Sequence, residues 1–308
     1  MALKVAPLGR LLTTAPGMDK VGLGAQPALV PLAAGRVAAA RGDPPLIADT
    51  SLTMNISDDV FTVPSPATAY STPIDSPLTG PPPGRFRDGE VLTVQYRTDP
   101  AAIRRVLPEP LRPTNDTVMV QVARWGDVGG LGRDTYEANV MVGAQLGELR
   151  GSYSPYFWVT SDRAMAGGRE LHGQPKRIGS VALEHRGDLI VGTVANNGID
   201  IFTGTLPYKS VPSSFGELCR RVDVVTNINL KIVHQIDGRT ALRQLTARDL
   251  TDIDVRGCWS GPSTAEIRPN ATSPLYRLPV LAYLEGFYWQ TEFSLVGGRV
   301  IYDYEQDA

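Results

Sequence analysis

Short apolar runs alternating with turn residues predict an α+β fold dominated by antiparallel strands, closed or strongly curved. The pattern begins at Val91-Leu92-Thr93-Val94-Gln95-Tyr96 and returns at Val118-Met119-Val120-Gln121-Val122. Between these runs, Pro100–Val106 carries apolar residues at helical spacing and predicts a short helix; 213–221 predicts another. One domain is the simplest organisation for this region. Residues 1–55 differ: they are rich in Ala, Gly, Pro, Leu and Arg, have few aromatics, and show no sustained period. Such a segment cannot build a core alone, and the expectation is a disordered or loosely docked extension ahead of a domain over 56–308. Its few acidic residues suit a transit peptide, but low serine content and the lack of a signal layout do not; Met54 as a start is a further alternative.

With 42% hydrophobic and 20% charged residues, the 308-residue chain has the composition of a soluble globular protein. A net charge of −2 argues against binding driven by nucleic-acid phosphates. No apolar run approaches the ~20 residues of a membrane span. Cys219 and Cys258 form no close pair, which predicts two buried reduced thiols and, with the lack of a convincing signal, a cytoplasmic protein. His172, His185 and His234 cannot make a helical metal motif, so the chemistry is expected to need no metal and no cofactor. Gly-Leu-Gly at 130–132 lacks the third glycine and following helix of a dinucleotide loop.

The stretch that carries chemistry is Gly168-Arg169-Glu170-Leu171-His172-Gly173-Gln174-Pro175-Lys176-Arg177. A solvated basic turn is the plain reading of Pro-Lys-Arg. The alternative is a reactive lysine. Lysine ordinarily titrates near ~10.4, and a neighbouring cation such as Arg177 disfavours its protonated form, as burial does.

Gly168-Arg169-Glu170-Leu-x-x-x-Pro175-Lys176-Arg177 resembles the active-site segment of the acetoacetate decarboxylase family. Tyr96-Arg97-Thr98-Asp99 with Val106-Leu107-Pro108-Glu109-Pro110-Leu111, then Gly130-Leu131-Gly132 with Tyr136-Glu137, resemble earlier family motifs. Leu189-Ile190-Val191-Gly192-Thr193, Trp259-Ser260-Gly261-Pro262 and Val300-Ile301-Tyr302-Asp303-Tyr304 follow in the family's order. The resemblance implies a single α+β domain built round a curved antiparallel β-barrel, a homo-oligomer, and Lys176 as a Schiff-base nucleophile. This family is itself a well-known example of a lysine activated by a neighbouring cation. Glu137 is implied as the proton shuttle, given one inserted residue between Gly132 and Tyr136, and Arg177 as the group that perturbs the amine. Glu170 is expected to order the loop by pairing with Arg169 or backbone amides.

Three positions depart from the family pattern. Its carboxylate-holding arginine aligns with Gly89; Arg87, two residues away on a strand, is the candidate substitute, with an ordinary surface arginine as the alternative. A family glutamate aligns with Gln121, and a histidine with Tyr288. Gln121, His172, Tyr288 and Trp158 are then candidate substrate contacts, with a packed β core as the alternative for the aromatics. The expected activity is decarboxylation of a β-keto acid, acetoacetate or a larger relative, through a lysine imine. An aldolase-dehydratase acting on pyruvate or another ketone plus an aldehyde would use the same lysine, and a non-catalytic small-molecule-binding barrel would keep the fold alone.

Overall fold

The computed structural model describes residues 65–129 and 132–306; the expected extension over 1–55 and the first residues of the expected domain lie outside them. Strand β1 (Gly84–Arg97) leads into α1 (Pro100–Val106). The Asp99 side chain caps α1 by accepting from the Ala101 amide, and Pro100 takes the first turn, where a missing N–H costs no hydrogen bond. Strands β2 (Arg112–Val128), β3 (Arg133–Leu146) and β4 (Leu149–Val159) follow as an antiparallel meander.

After β4, Ser161 caps α2 (Asp162–Gly167), which continues into a π-helical turn over Gly168–His172. Gly173, at φ 75°, ends it in the left-handed region that glycine adopts without steric cost. This crossover brings β5 (Lys176–Ile178) back parallel to β4. Strands β6 (Ser180–Arg186), β7 (Leu189–Asn196) and β8 (Ile199–Pro207) come next, then β9 (Val211–Pro212) and α3 (Phe215–Cys219). The second expected helix is thus present but shorter than 213–221. The chain finishes with β10 (Thr226–His234), β11 (Thr240–Pro262), β12 (Thr264–Ile267), β13 (Ala282–Tyr283), β14 (Glu285–Leu295) and β15 (Arg299–Asp303).

The main sheet runs β10-β11-β14-β1-β2-β3-β4, and β10 pairs back onto β4, so the strands form a closed ring. The expected α+β single domain with a curved, mostly antiparallel sheet is present. The β4–β10 and β4–β5 pairings are parallel, a departure that follows from the long connections between those strands. A second sheet, β12-β8-β7-β6, covers one face of the ring. Between the two sheets lies a core that includes Leu92, Val122, Trp158, Ile190, Phe202 and Tyr288. Residues of opposite parity, among them Val91, Ala123, Trp125, Met141, Trp289 and Phe293, form a separate cluster on the other face. Fully burying a large apolar side chain contributes about 1.5–3 kcal/mol, so both faces of these strands hold the register. No helix of the described residues is long and apolar enough to cross a membrane.

Candidate active site

Lys176 and Glu137 meet inside the ring. Lys176 Nζ is 2.5 Å from Glu137 Oε1, and the two residues are only 6% and 8% exposed. The other carboxylate oxygen, Oε2, accepts from Trp125 Nε1 at 3.2 Å. The Phe157 ring centre lies 4.6 Å from the amine. Lys176 reaches this place because the backbone of the π-helical turn passes against its stem: a Cβ at Gly168 would collide with Lys176 Cδ and stand 2.9 Å from Cε. Arg169 Nη1 donates to the Lys176 carbonyl at 3.2 Å, so Arg169 rather than Glu170 ties the motif together.

The pair stands where two lobes of a cavity join, since Glu137, Lys176, Phe86, Gln174 and Leu295 line both. Each ring strand supplies a residue to the first lobe, from Phe86 in β1 to Trp289 in β14. Aromatic and aliphatic side chains line most of both lobes; Gln121, Asn139, Asn227 and Arg248 make the first the more polar of the two, and Pro81, Pro82, Pro83, Val128 and Leu171 make the second the more apolar.

Several buried polar atoms of this cavity have no hydrogen-bond partner within the protein: Asn139 Oδ1, Gln174 Oε1, His172 Nδ1, and Arg248 Nε and Nη1. Buried polar atoms are satisfied in the great majority of cases, so these atoms are where a ligand or a bound water would complete the hydrogen bonding. Burial, and then the positive charges of Arg248, Lys176 and Lys231, push the His172 pKa down to about 3, which leaves the imidazole neutral. Burial likewise pushes Arg248 down to about 10, opposed by the Glu137 and Asp249 carboxylates, and Arg248 stays charged at neutral pH.

The expected site residues divide into two groups. Lys176, Glu137 and Gln121 line the polar lobe, and His172 lines the apolar one. Four others stand elsewhere. Arg177 follows Lys176 in an extended strand and therefore faces the opposite way, donating to the Thr272 carbonyl at 2.5 Å. Arg87 is at the surface, 2.9 Å from Asp127. A bulge between Phe86 and Gly89, with Asp88 at φ 49°, breaks the two-residue alternation on which its expected position rested. Trp158 and Tyr288 pack in the core between the sheets; their neighbours Phe157 and Trp289 face the cavity instead. Gly89 itself has no room for a side chain, because its Cβ would collide with the Trp125 ring and stand 2.8 Å from the Thr291 carbonyl.

Arg248 is the lining residue that motif reasoning missed. The available signal was weak: Thr246, Arg248 and Leu250 alternate on one face of a strand, a pattern equally suited to a solvated edge. Both cysteines are free thiols, Cys258 buried and Cys219 half-buried. Among the described residues no group of three or more His, Cys, Asp or Glu could hold a metal ion.

Residues 70–305 match the family model described as acetoacetate decarboxylase. An acetoacetate decarboxylase of Chromobacterium violaceum is 36% identical over 236 residues, covering 77% of this chain and 95% of the relative. A solved acetoacetate decarboxylase structure superposes with a TM-score of 0.73 at 30% identity, over 77% of this chain and 97% of that one. The enduracididine biosynthesis enzyme MppR in complex with pyruvate shares the fold, with a TM-score of 0.67 at 22% identity over 77% of this chain and 98% of that one. Lys176 and Glu137 fall within the matched span. The chain belongs to the acetoacetate decarboxylase family of carbon–carbon lyases.

Proposed function

We propose that the protein decarboxylates a β-keto acid, acetoacetate or a longer relative, through an imine on Lys176. The carrying observation is the buried 2.5 Å contact between Lys176 Nζ and Glu137 Oε1 at the junction of the two lobes. In this reading Glu137 takes the proton that the amine sheds, and the free amine adds to the substrate ketone. Glu137 returns a proton to the carbinolamine oxygen, water leaves, and a protonated imine remains. The bond to the carboxylate then breaks; its electron pair moves into the imine to give an enamine, and carbon dioxide departs. Protonation of the enamine carbon and hydrolysis release the ketone and restore Lys176.

Trp125 Nε1, bound to the far carboxylate oxygen, holds Glu137 in the position these transfers need. Phe157 and the buried setting limit competing water. The apolar lobe supports a substrate longer than acetoacetate, with its alkyl end beside Leu171 and Val128.

One observation favours a second reading, aldol condensation with dehydration on the same lysine. Gln121 faces the cavity where the family has a glutamate, and an amide can orient a carbonyl but cannot exchange its proton. Incubation with acetoacetate, longer β-keto acids, and pyruvate plus an aldehyde separates the two. Carbon dioxide release that vanishes in Lys176→Arg is expected. Condensation product without gas would replace the decarboxylase reading, and neither product with any substrate would remove both.

A further inference from the structure

We propose that Arg248 binds the substrate carboxylate in this protein, an assignment that deepens the keto-acid reading and rests on it. Arg248 stands on β11 opposite Asn227 of β10, and both line the polar lobe with Lys176 and Glu137. Its neighbours of the same parity bracket it: the Thr246 hydroxyl donates to the His172 carbonyl at 2.8 Å, and Leu250 lines the lobe. Arg248 also lines a further cavity together with His172 and Thr246.

Arg248 Nε and Nη1 are buried without an acceptor in the protein. A guanidinium presents N–H donors in a planar fork that matches the two oxygens of a carboxylate, and leaving such a group buried and unpaired is unfavourable. Other arginines of the ring are paired: Arg85 with Glu292, Arg87 with Asp127, Arg124 with Asp134. Even the adjacent carboxylate is engaged elsewhere, since Asp249 holds Arg299 and the Thr226 hydroxyl.

Charge balance leads to the same ligand. Lys176 and Glu137 cancel wherever their shared proton lies, which leaves Arg248 as an uncompensated positive charge on the polar lobe. A keto acid brings the missing negative charge. Carbon dioxide and the product ketone carry none, so the attraction ends when the bond breaks and release follows. Because the carboxylate loses charge on the way to the transition state, the contact holds ground state more than transition state and should govern KM more than kcat.

The test compares wild type with Arg248→Met and Arg248→Lys. Losing a charge-assisted pair predicts a KM for acetoacetate raised about ten- to a hundred-fold in Arg248→Met, with partial rescue in Arg248→Lys. Borohydride trapping of acetone, a neutral ketone, on Lys176 should stay within about twofold of wild type, because no carboxylate is involved. The melting temperature without ligand should be unchanged or higher, since no protein partner is lost, and the stabilisation by acetoacetate should shrink. An unchanged KM, or an equal fall in acetone trapping, overturns the assignment. If wild type itself traps no ketone, the imine reading fails; the acetoacetate-induced thermal shift then still decides Arg248, which is wrong if the shift survives in Arg248→Met.

Discussion

The two faces of the ring each carry a glutamate among aromatic and basic neighbours, yet the neighbours of one are paired with each other and several of those round the other keep unpaired buried atoms. Toward the small sheet, Glu90 accepts from Tyr288 Oη at 2.9 Å, meets His185 Nε2 at 3.0 Å and Arg124 at 3.7 Å; Gln290 donates to Tyr288 Oη at 3.2 Å. Burial alone would raise the Glu90 pKa, but hydrogen bonds from His185 and Tyr288, with the charges of His185 and Arg124, outweigh it and hold the carboxyl below its ordinary range. Inside the ring, Glu137 has Lys176 and Trp125, while Asn139, His172, Gln174 and Arg248 keep buried atoms without protein partners. A closed network stabilises a structure. An open one of the same residue types is where a ligand completes the hydrogen bonding.

The contrast breaks most severely if the interior residues prove dispensable. Lys176→Arg should lower turnover by roughly 10⁴-fold or more while the fold persists, because a cation still faces Glu137. Lys176→Met removes that cation and should lose activity and also destabilise the fold by about 3–5 kcal/mol, read by denaturant titration. Glu137→Gln should lower kcat by about 10²- to 10⁴-fold, since the amide cannot shuttle a proton. Gly168→Ala pushes on the Lys176 stem, and displacing the amine by about an ångström predicts a loss of roughly a hundred-fold in kcat.

On the other face, Tyr288→Phe should cost about 1 kcal/mol of stability and leave kcat/KM within about twofold of wild type. A large activity loss there would erase the distinction between the faces. The mildest effect concerns acid stability. His172 titrates at about 3 when folded and near 6.5 by its ordinary value, so between these the unfolded chain binds a proton that the folded one refuses. Its contribution is therefore complete above pH 6.5 and is lost as pH falls towards 3. The melting temperature of His172→Gln should decline less steeply over that window than that of wild type.

How much of this was legible in the sequence depended on what signal each residue carries. Lys176 and Glu137 sit in ordered motifs, and the apolar runs at Val91 and Val118, set between turn residues, announce their strands. Tyr288 and Trp158 each stand one residue away from the ring that faces the cavity. Both faces of those strands are buried, and an aromatic run such as Phe287-Tyr288-Trp289 then gives no hint of which parity points inward. Arg87 failed for a different reason, a bulge that no local composition announced. The stretch before the lysine is helical, and Ser161 followed by Asp162, Ala164 and Met165 carries a cap signal that the nearby glycines and proline obscure. Arg248 lies on a strand brought to the site by ring closure, a long-range event that local sequence does not encode.

The most direct measurement is the mass of the Lys176 peptide after acetoacetate and borohydride are added together. An N-isopropyl group on Lys176, the reduced imine of the decarboxylated product, is expected, and it should disappear in Lys176→Arg. Carbon dioxide release with Lys176 unmodified, or the same adduct on a different lysine, would contradict the placement of the chemistry at the Lys176–Glu137 pair.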